Sequence, residues 1–441
     1  MKPPGNPRLF GGTRKNNDDK PNRAVAQALL AACKEEASVS TEGVFSGIKV
    51  LDAASFIAAP AAATIMADFG AQVIKIEPTG EGDAYRGVSF QPGMPLSDKD
   101  YCWAVDDRNK RSLALDLKRP EAQKIIHNLI VSADVFITNY PPPARRRLGI
   151  AFDQLSHINE RLIYASLTAY GERGAEANKP GFDSTAWWAR SGLMDQVRPD
   201  ARNLPSRSIP GMGDHPTALA LYGAIVTALL QRERTGKGAH VGTSLMASGV
   251  WANACFVQAA LDGARFIPRP LRTEAFNALS NHYRCGDDRW LILAVGVAQD
   301  ARLWRLFAET LGRPELADDP RFTDRAARLK NASALVAVLD EVFLERGAQE
   351  WMRLLESKGF VVALVAHPSE APHDQQMRDN GAIVPLRGGG FTVGSPLWIG
   401  GVEKAAATPA PKLGEHSTAI LREHGFADEE IAHLRAQGVV G

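Results

Sequence analysis

The feature that most constrains the fold is a strand–helix–strand unit near the start of the chain. Ile48-Lys49-Val50-Leu51 is a short apolar strand, an Ala-rich run from Pro60 to Phe69 is a helix that Gly70 ends, and Val73-Ile74-Lys75-Ile76 is the next strand. Two such strands joined by one helix lie parallel, with the helix crossing back over the sheet in the right-handed sense. An α/β class follows. The first turn has no G-x-G-x-x-G, so a dinucleotide fingerprint is missing. Ligands of open parallel sheets bind at the carboxyl ends of the strands, which puts Phe56 and Ile57 at the expected site mouth.

The alternation continues. Pro120 opens a helix whose apolar face is Ile125, Ile126, Leu129 and Ile130, and Val135–Thr138 and Leu162–Leu167 read as strands. Residues 217–232 form a helix that is apolar on nearly all sides, followed by a second long helix over 243–261. The pattern then changes. His282–Cys285 and Trp290–Ala294 flank Gly286-Asp287-Asp288-Arg289 as a hairpin, with helices expected near 299–311, 333–346 and 348–357 and a strand over 360–366. Gly388-Gly389-Gly390 reads as a hairpin turn, and Gly425 splits two final helices. The expected division is an extension over 1–45, polar and disordered to Asn22 with a short helix over 24–37; a large domain begun by 46–215; a linking helix over 216–240; a small α+β domain over 241–360; and a return segment over 361–441 that completes the large domain.

Lys plus Arg number 51 and Asp plus Glu 50, a balance that excludes the basic surplus of a nucleic-acid binder. The apolar run from Ala218 to Leu230 is too short to span a bilayer, and the N-terminus lacks the apolar core of a signal peptide, so no membrane partner and a cytoplasmic location are expected. Cys33, Cys102, Cys255 and Cys285 have no paired spacing and read as reduced thiols. The ten His residues show no metal-ligand spacing, and no G-x-S-x-G elbow is present.

The chemistry concentrates in Lys179-Pro180-Gly181-Phe182-Asp183 and the run to Met194. Asp183 follows a Pro-Gly breaker where a helix begins. It is either an N-cap or a nucleophile, since a carboxylate can attack a thioester to give an acyl-aspartyl anhydride. Trp187 and Trp188 would make its surroundings dry and aromatic. Two cation clusters, Arg108-Asn109-Lys110-Arg111 before a strand over 113–117 and Arg145-Arg146-Arg147, read as solvated loops or as phosphate partners. Gly211-Met212-Gly213-Asp214-His215 is a Gly-rich turn entering a helix. Its N–H groups could hold an oxyanion, and His215 is either structural or an acid–base group.

Pro180–Asp183 with Ser191-Gly192-Leu193-Met194 resembles the catalytic stretch of the family III CoA-transferases, the CaiB/BaiF group. Phe56–Ala62 through Gly70–Glu77, Gly211–His215 through Thr235–Gly238, and Leu413-Gly414-Glu415-His416 match it in order. Within the family the likeness is to the cinnamoyl-CoA:phenyllactate and 2-hydroxyisocaproate type. The resemblance implies a large Rossmann-like parallel-sheet domain built from both chain ends, a small domain between them, and ring-shaped protomers interlocked in a homodimer. It implies Asp183 as nucleophile, a CoA thioester as co-substrate with no permanent cofactor or metal, and a carboxylic acid as acceptor. It places Phe56, Ile57, Ala58, Arg108, Lys110, Asn139, Tyr140, Arg147 and Thr168 against CoA, and Trp187, Trp188, Gly213 and His215 toward the acyl group or its oxyanion. An acyl-CoA racemase of the same fold and a non-catalytic CoA-binding paralogue are the alternatives. For the racemase, Phe182 stands where a His is usual, and His157 is the upstream His considered as its base.

Overall fold

The computed structural model describes residues 43–295 and 301–441, so the extension reading for 1–45, including Cys33, falls almost wholly outside the described residues. The organising element is a sheet of six parallel strands among the described residues: β1 (Lys49–Asp52), β2 (Gln72–Glu77), β3 (Lys110–Ala114), β4 (Val135–Thr138), β5 (Ile163–Thr168) and β6 (Ala239–Ser244). Their spatial order is β3-β2-β1-β4-β5-β6. This is the doubly wound order, and the strand sequence reverses between β1 and β4.

Alternate residues of each strand serve opposite faces. Val50, Val73, Val135, Ile137, Ile163 and Ala165 join α1 (Ala58–Asp68) in one core, while Leu51, Ile76, Leu113, Phe136 and Tyr164 join α3 (Pro120–Val131) in another. Every residue of α1 is buried, because it is sandwiched between the sheet and the helix Asp214–Thr235 (α4), and its alanines allow that close approach. Between β2 and β3 the short helix α2 (Tyr101–Asp106) packs its Trp103 with Tyr85 and Ile57.

The chain end returns to the same sheet. Helices α10 (Ser417–Glu423) and α11 (Asp428–Ala436), numbered after the helices below, bury Ile420, Leu421, Ile431 and Leu434 on the α3 face. The Gly441 N–H donates to the Ala114 carbonyl at 3.0 Å, and Val440 bridges Leu115. A separate core holds an antiparallel sheet, β7 (His282–Arg284), β8 (Trp290–Leu293) and β9 (Val362–Leu364). Helices α7 (Ala301–Thr310), α8 (Ala332–Phe343) and α9 (Ala348–Glu356) cover it. The Gly388–Gly390 turn closes the hairpin β10 (Ile383–Pro385) and β11 (Phe391–Val393).

Three expectations are corrected. The stretch 216–240 is more than a linking helix, because α4 ends at Thr235 and Ala239–Ser244 then enters the large sheet as its edge strand β6. That strand reads Ala-His-Val-Gly-Thr-Ser, an edge with little apolar signal. The single helix expected over 243–261 is two, α5 (Leu245–Ala252) and α6 (Ala254–Leu261), parted at Asn253, whose side-chain amide donates to the Ser191 carbonyl at 2.9 Å. The strand β9 belongs to the small sheet rather than to a return segment starting at 361.

Helix α5 sits close against the segment that carries Asp183. A Cβ on Gly249 would lie 2.3 Å from the Trp187 carbonyl oxygen, whereas a Cβ on Gly223 of α4 would meet nothing within 4 Å. Gly249→Ala is expected to destabilise the protein by about 1–3 kcal/mol through overpacking. Gly223→Ala is expected to stabilise it by about 0.5–1 kcal/mol through helix propensity. Paired thermal melts check the opposite signs.

Candidate active site

Asp183 opens a turn of π-helix, Asp183–Ala189. Such turns are rare and concentrate at functional sites. The N-cap reading of Asp183 does not survive the geometry. The N-cap position is Phe182, whose N–H and carbonyl meet the Thr185 Oγ1 at 3.0 and 3.1 Å. Asp183 is the first residue of the turn itself. Its Oδ1 accepts from the adjacent Ser184 N–H at 2.6 Å, and its Oδ2 reaches thirty residues on to the Gly213 N–H at 3.2 Å. The residue is 9 % exposed and has no ion-pair partner among the described residues.

The turn supplying that N–H is held from below and behind. A Cβ on Gly213 would lie 2.6 Å from Cγ of Trp187, so only glycine brings the backbone this close to the indole. Asp214 follows at the first position of α4. Burial, with the charge of Asp183 next in weight, pushes its carboxyl up to about 7. The ring of His215 lies between Asp106, with Nε2 3.0 Å from Oδ1, and the Gly211 carbonyl, 3.1 Å from Nδ1. The Asp106 hydrogen bond keeps this imidazole protonated above the ordinary histidine range.

The tryptophans expected to face the acyl group are core residues. Trp187 and Trp188 are buried and stacked with centroids 5.9 Å apart, and their indole N–H groups donate to Ser248 Oγ and the Ser206 carbonyl. The exposed aromatic surface next to Asp183 in the chain is instead Phe182 with Phe56, 59 % and 36 % exposed, in edge-to-face contact with centroids 5.6 Å apart. Phe56 is left-handed, at φ 63°, which is costly for a side chain of this kind. Asp83 holds it there by accepting the Phe56 N–H at 3.1 Å. Lys75, 2.7 Å from Asp83 Oδ2, keeps that carboxyl below the usual range although burial works the other way.

The β1 and β4 ends meet at the point where the strand order reverses. Asn139 spans them: its Oδ1 accepts from the Ser55 N–H at 2.9 Å and its Nδ2 donates to the Ser55 carbonyl at 2.7 Å. Tyr140 is half-buried beside it, and Arg147 is exposed at the end of the helix Pro142–Arg147. Ile57 and Ala58 are buried, with Ile57 against Tyr85 and Trp103, so they bring the backbone start of α1 to the crevice rather than side chains. Thr168 is turned inward, its Oγ1 accepting from the Gly171 N–H at 2.9 Å. His157 is exposed at the end of the helix Phe152–Ser156.

Arg108 and Lys110, expected to meet phosphates from a solvated loop, lie inside the protein. Lys110 belongs to β3 and its ammonium contacts Asp52 at 2.9 Å, Asp107 at 2.8 Å and the Pro60 carbonyl at 2.9 Å. Arg108 grips both oxygens of Asp68 from the end of α1. A run of charge reads as surface because buried charges are rare without partners. Asp107 is three residues from Lys110, but Asp52 from β1 and Asp68 from α1 lie 58 and 40 residues from the cations they meet. Asp83, Asp106 and Tyr85, all bearing on the site, went unsingled for the same reason, as did Phe182 as a side chain. The positive-φ turn at Phe56 leaves no mark in a non-glycine sequence.

Among the described residues no cluster of His, Cys, Asp and Glu could hold a metal, and no helix is long and apolar enough to cross a membrane. The model of CoA-transferase family III matches residues 45–417. The (R)-2-hydroxy-4-methylpentanoate CoA-transferase of Clostridioides difficile is 31 % identical over 403 residues, 90 % of this chain and 99 % of that protein. The cinnamoyl-CoA:phenyllactate CoA-transferase of Clostridium sporogenes is 29 % identical over 402 residues, 89 % of this chain and 96 % of that one. The crystal structure of a CaiB/BaiF family protein from Brucella suis superposes with a TM-score of 0.77 at 26 % identity, covering 87 % of this chain and 100 % of that one. With a parallel sheet of this order, an uncompensated carboxylate at its crevice, and a family match spanning most of the chain, this protein is an enzyme of CoA-transferase family III.

Proposed function

We propose that the protein moves CoA from an acyl-CoA to a free carboxylic acid through covalent intermediates on Asp183. The observation that carries this reading is the state of the Asp183 carboxylate: nearly buried, oriented by two backbone N–H groups, and without a cation that would blunt it. An Asp183 oxygen attacks the thioester carbonyl, the C–S bond breaks, and a mixed anhydride and CoA thiolate result. The thiolate attacks the aspartyl carbonyl of that anhydride, releasing the donor acid and leaving an aspartyl-CoA thioester. The acceptor carboxylate attacks this thioester, re-forming an anhydride and thiolate. The thiolate then takes the new acyl group and Asp183 is restored. No net proton, electron or metal enters the cycle. The Gly213 N–H is suited to the Asp183 oxygen that gains charge when the thiolate, and later the acceptor carboxylate, adds to the aspartyl carbonyl.

CoA is read as crossing the crevice at the ends of β1 and β4, near Tyr140 and Arg147, with the start of α1 facing its anionic part. Arg108 and Lys110 have no part in this, being committed to carboxylates. The acid is read as apolar, a 2-hydroxy, unsaturated or aromatic acid, because the exposed Phe56–Phe182 ring pair adjoins Asp183 in the chain and two of the relatives are named for such substrates. A racemase reading needs acid–base groups on both sides of an α-carbon, and residue 182 is an aromatic ring. A cytoplasmic location fits the free thiols of Cys102, Cys255 and Cys285. A second copy of the chain is the proposed cover for Trp251, Phe256, Leu261 and Ile267, exposed along α5, α6 and the segment after them.

Incubation with acyl-CoA donors followed by hydroxylamine trapping and intact-mass measurement is expected to give an adduct at Asp183. Asp183→Asn should form none and lose at least about 10³-fold in kcat. α-Proton exchange into deuterated solvent with no adduct would establish the racemase instead. Phe182→Ala is expected to lower kcat/KM for an aromatic acid roughly 10-fold while sparing a small acid such as acetate, which steady-state kinetics with both acceptors checks. Light scattering coupled to size exclusion should give a dimer for the wild type and a shift toward monomer for Trp251→Lys.

A further inference from the structure

His215 lies two residues beyond the N–H that touches the nucleophile, and its ring meets an acceptor at each end: Asp106 Oδ1 at 3.0 Å and the Gly211 carbonyl at 3.1 Å. A neutral imidazole has one N–H, so in that state a ring lone pair would face an oxygen lone pair; the imidazolium donates to both. Asp106 is itself fixed. It is 2 % exposed, its Oδ2 accepts from the Tyr85 hydroxyl at 2.9 Å, and its carbonyl accepts from the Thr64 hydroxyl. Burial, with the Asp106 charge behind it, raises the Tyr85 phenol far above its ordinary value, so it stays a donor.

We propose that His215 is a positioning residue for CoA transfer, an imidazolium clamped between Asp106 and the Gly211 carbonyl that fixes the Gly211–Gly213 turn and so the N–H in contact with Asp183. The proposal rests on the transferase reading above. His215 is then neither base nor nucleophile, since both ring nitrogens are occupied. Its charge lowers the Asp214 carboxyl, against the burial and the Asp183 charge that raise it. The charged groups facing it are Asp106 from α2 and Asp214 from its own helix. Tyr85, with Cys102 beside it, acts through Asp106, and Asp183 acts through Asp214. The Asp106 hydrogen bond outweighs burial and holds the imidazolium above the ordinary range. A raised value leaves the clamp fully formed below the ordinary histidine value of about 6.5 and releases it as pH climbs through the raised one.

Histidine-selective ¹⁵N labelling of the full chain reads this on the resting protein, with the His215 signal assigned by its loss in His215→Gln. The imidazolium is expected to lose its proton with a midpoint above the ordinary value of about 6.5, and Asp106→Asn should bring that midpoint down. In turnover, His215→Gln is expected to lower kcat roughly 10- to 100-fold with little change in KM for acyl-CoA, and to abolish the alkaline limb of the kcat profile. Asp106→Asn should move that limb to lower pH. A His215 midpoint at or below about 6.5, or an unchanged alkaline limb in His215→Gln, overturns the proposal. If Asp106→Asn does not fold by circular dichroism, the wild-type titration and the His215→Gln profile decide the matter alone. The NMR titration needs no turnover, so a protonated His215 in a protein that never acylates Asp183 would sink the transferase reading and leave the clamp standing.

Discussion

Everything at the crevice rests on a charge cluster sealed beneath it. Lys75 and Lys110, both fully buried, share Asp52, Asp83 and Asp107 from β1, the turn after β2 and the end of α2. Lys75 also donates to the Ala54 carbonyl and Lys110 to the Pro60 carbonyl, so each ammonium ties side chains and the β1–α1 backbone together. Burial works against the Lys75 ammonium, but Asp52 and Asp83 hold it above the ordinary lysine range. Burial pushes Asp107 up to about 7, and its Oδ2 has no partner. Removing one member of such a cluster strands a buried charge and costs about 3–5 kcal/mol. The cluster therefore acts as a rigid footing, and the left-handed Phe56 is one of the features it supports.

Asp183 is reached from the opposite side by close backbone approach rather than by charge. Gly249 lets α5 touch the carbonyl of Trp187, and Gly213 lets its turn touch the indole of the same residue. The stacked Trp187–Trp188 pair is the solid object between these contacts. The π-turn beside it delivers Asp183 to the Gly213 N–H. The tryptophans thus act on the site through position, and the exposed aromatic faces are left to Phe56 and Phe182.

The two halves of the site are joined by polar braces. Asn139 locks the end of β4 to the backbone after β1, and His215 links the Gly211 turn to Asp106. Each brace joins segments more than eighty residues apart. Strands, helices and caps are local decisions, but such braces exist only once the sheet has formed.

That division marks what was legible in the chain. Local periodicity determined the parallel α/β class through the Val50–Leu51 and Val73–Ile76 strands, the α3 face and the hairpin around Gly286–Arg289, since burial on one face imposes a period that survives in sequence. The Pro180-Gly181 breaker determined that Asp183 would start an element. Tertiary structure alone decided that Asp183 meets the Gly213 N–H, that Trp187 and Trp188 face inward, and that Lys110 and Arg108 are buried. It also decided that Ala239–Ser244 is a sheet edge. Buried charges are tolerated only beside partners from distant segments, and an edge strand needs little apolar surface, so neither leaves a periodic trace. Which side of an aromatic or a cation meets a ligand depends on three-dimensional neighbours, and those are fixed only when the chain has closed around them.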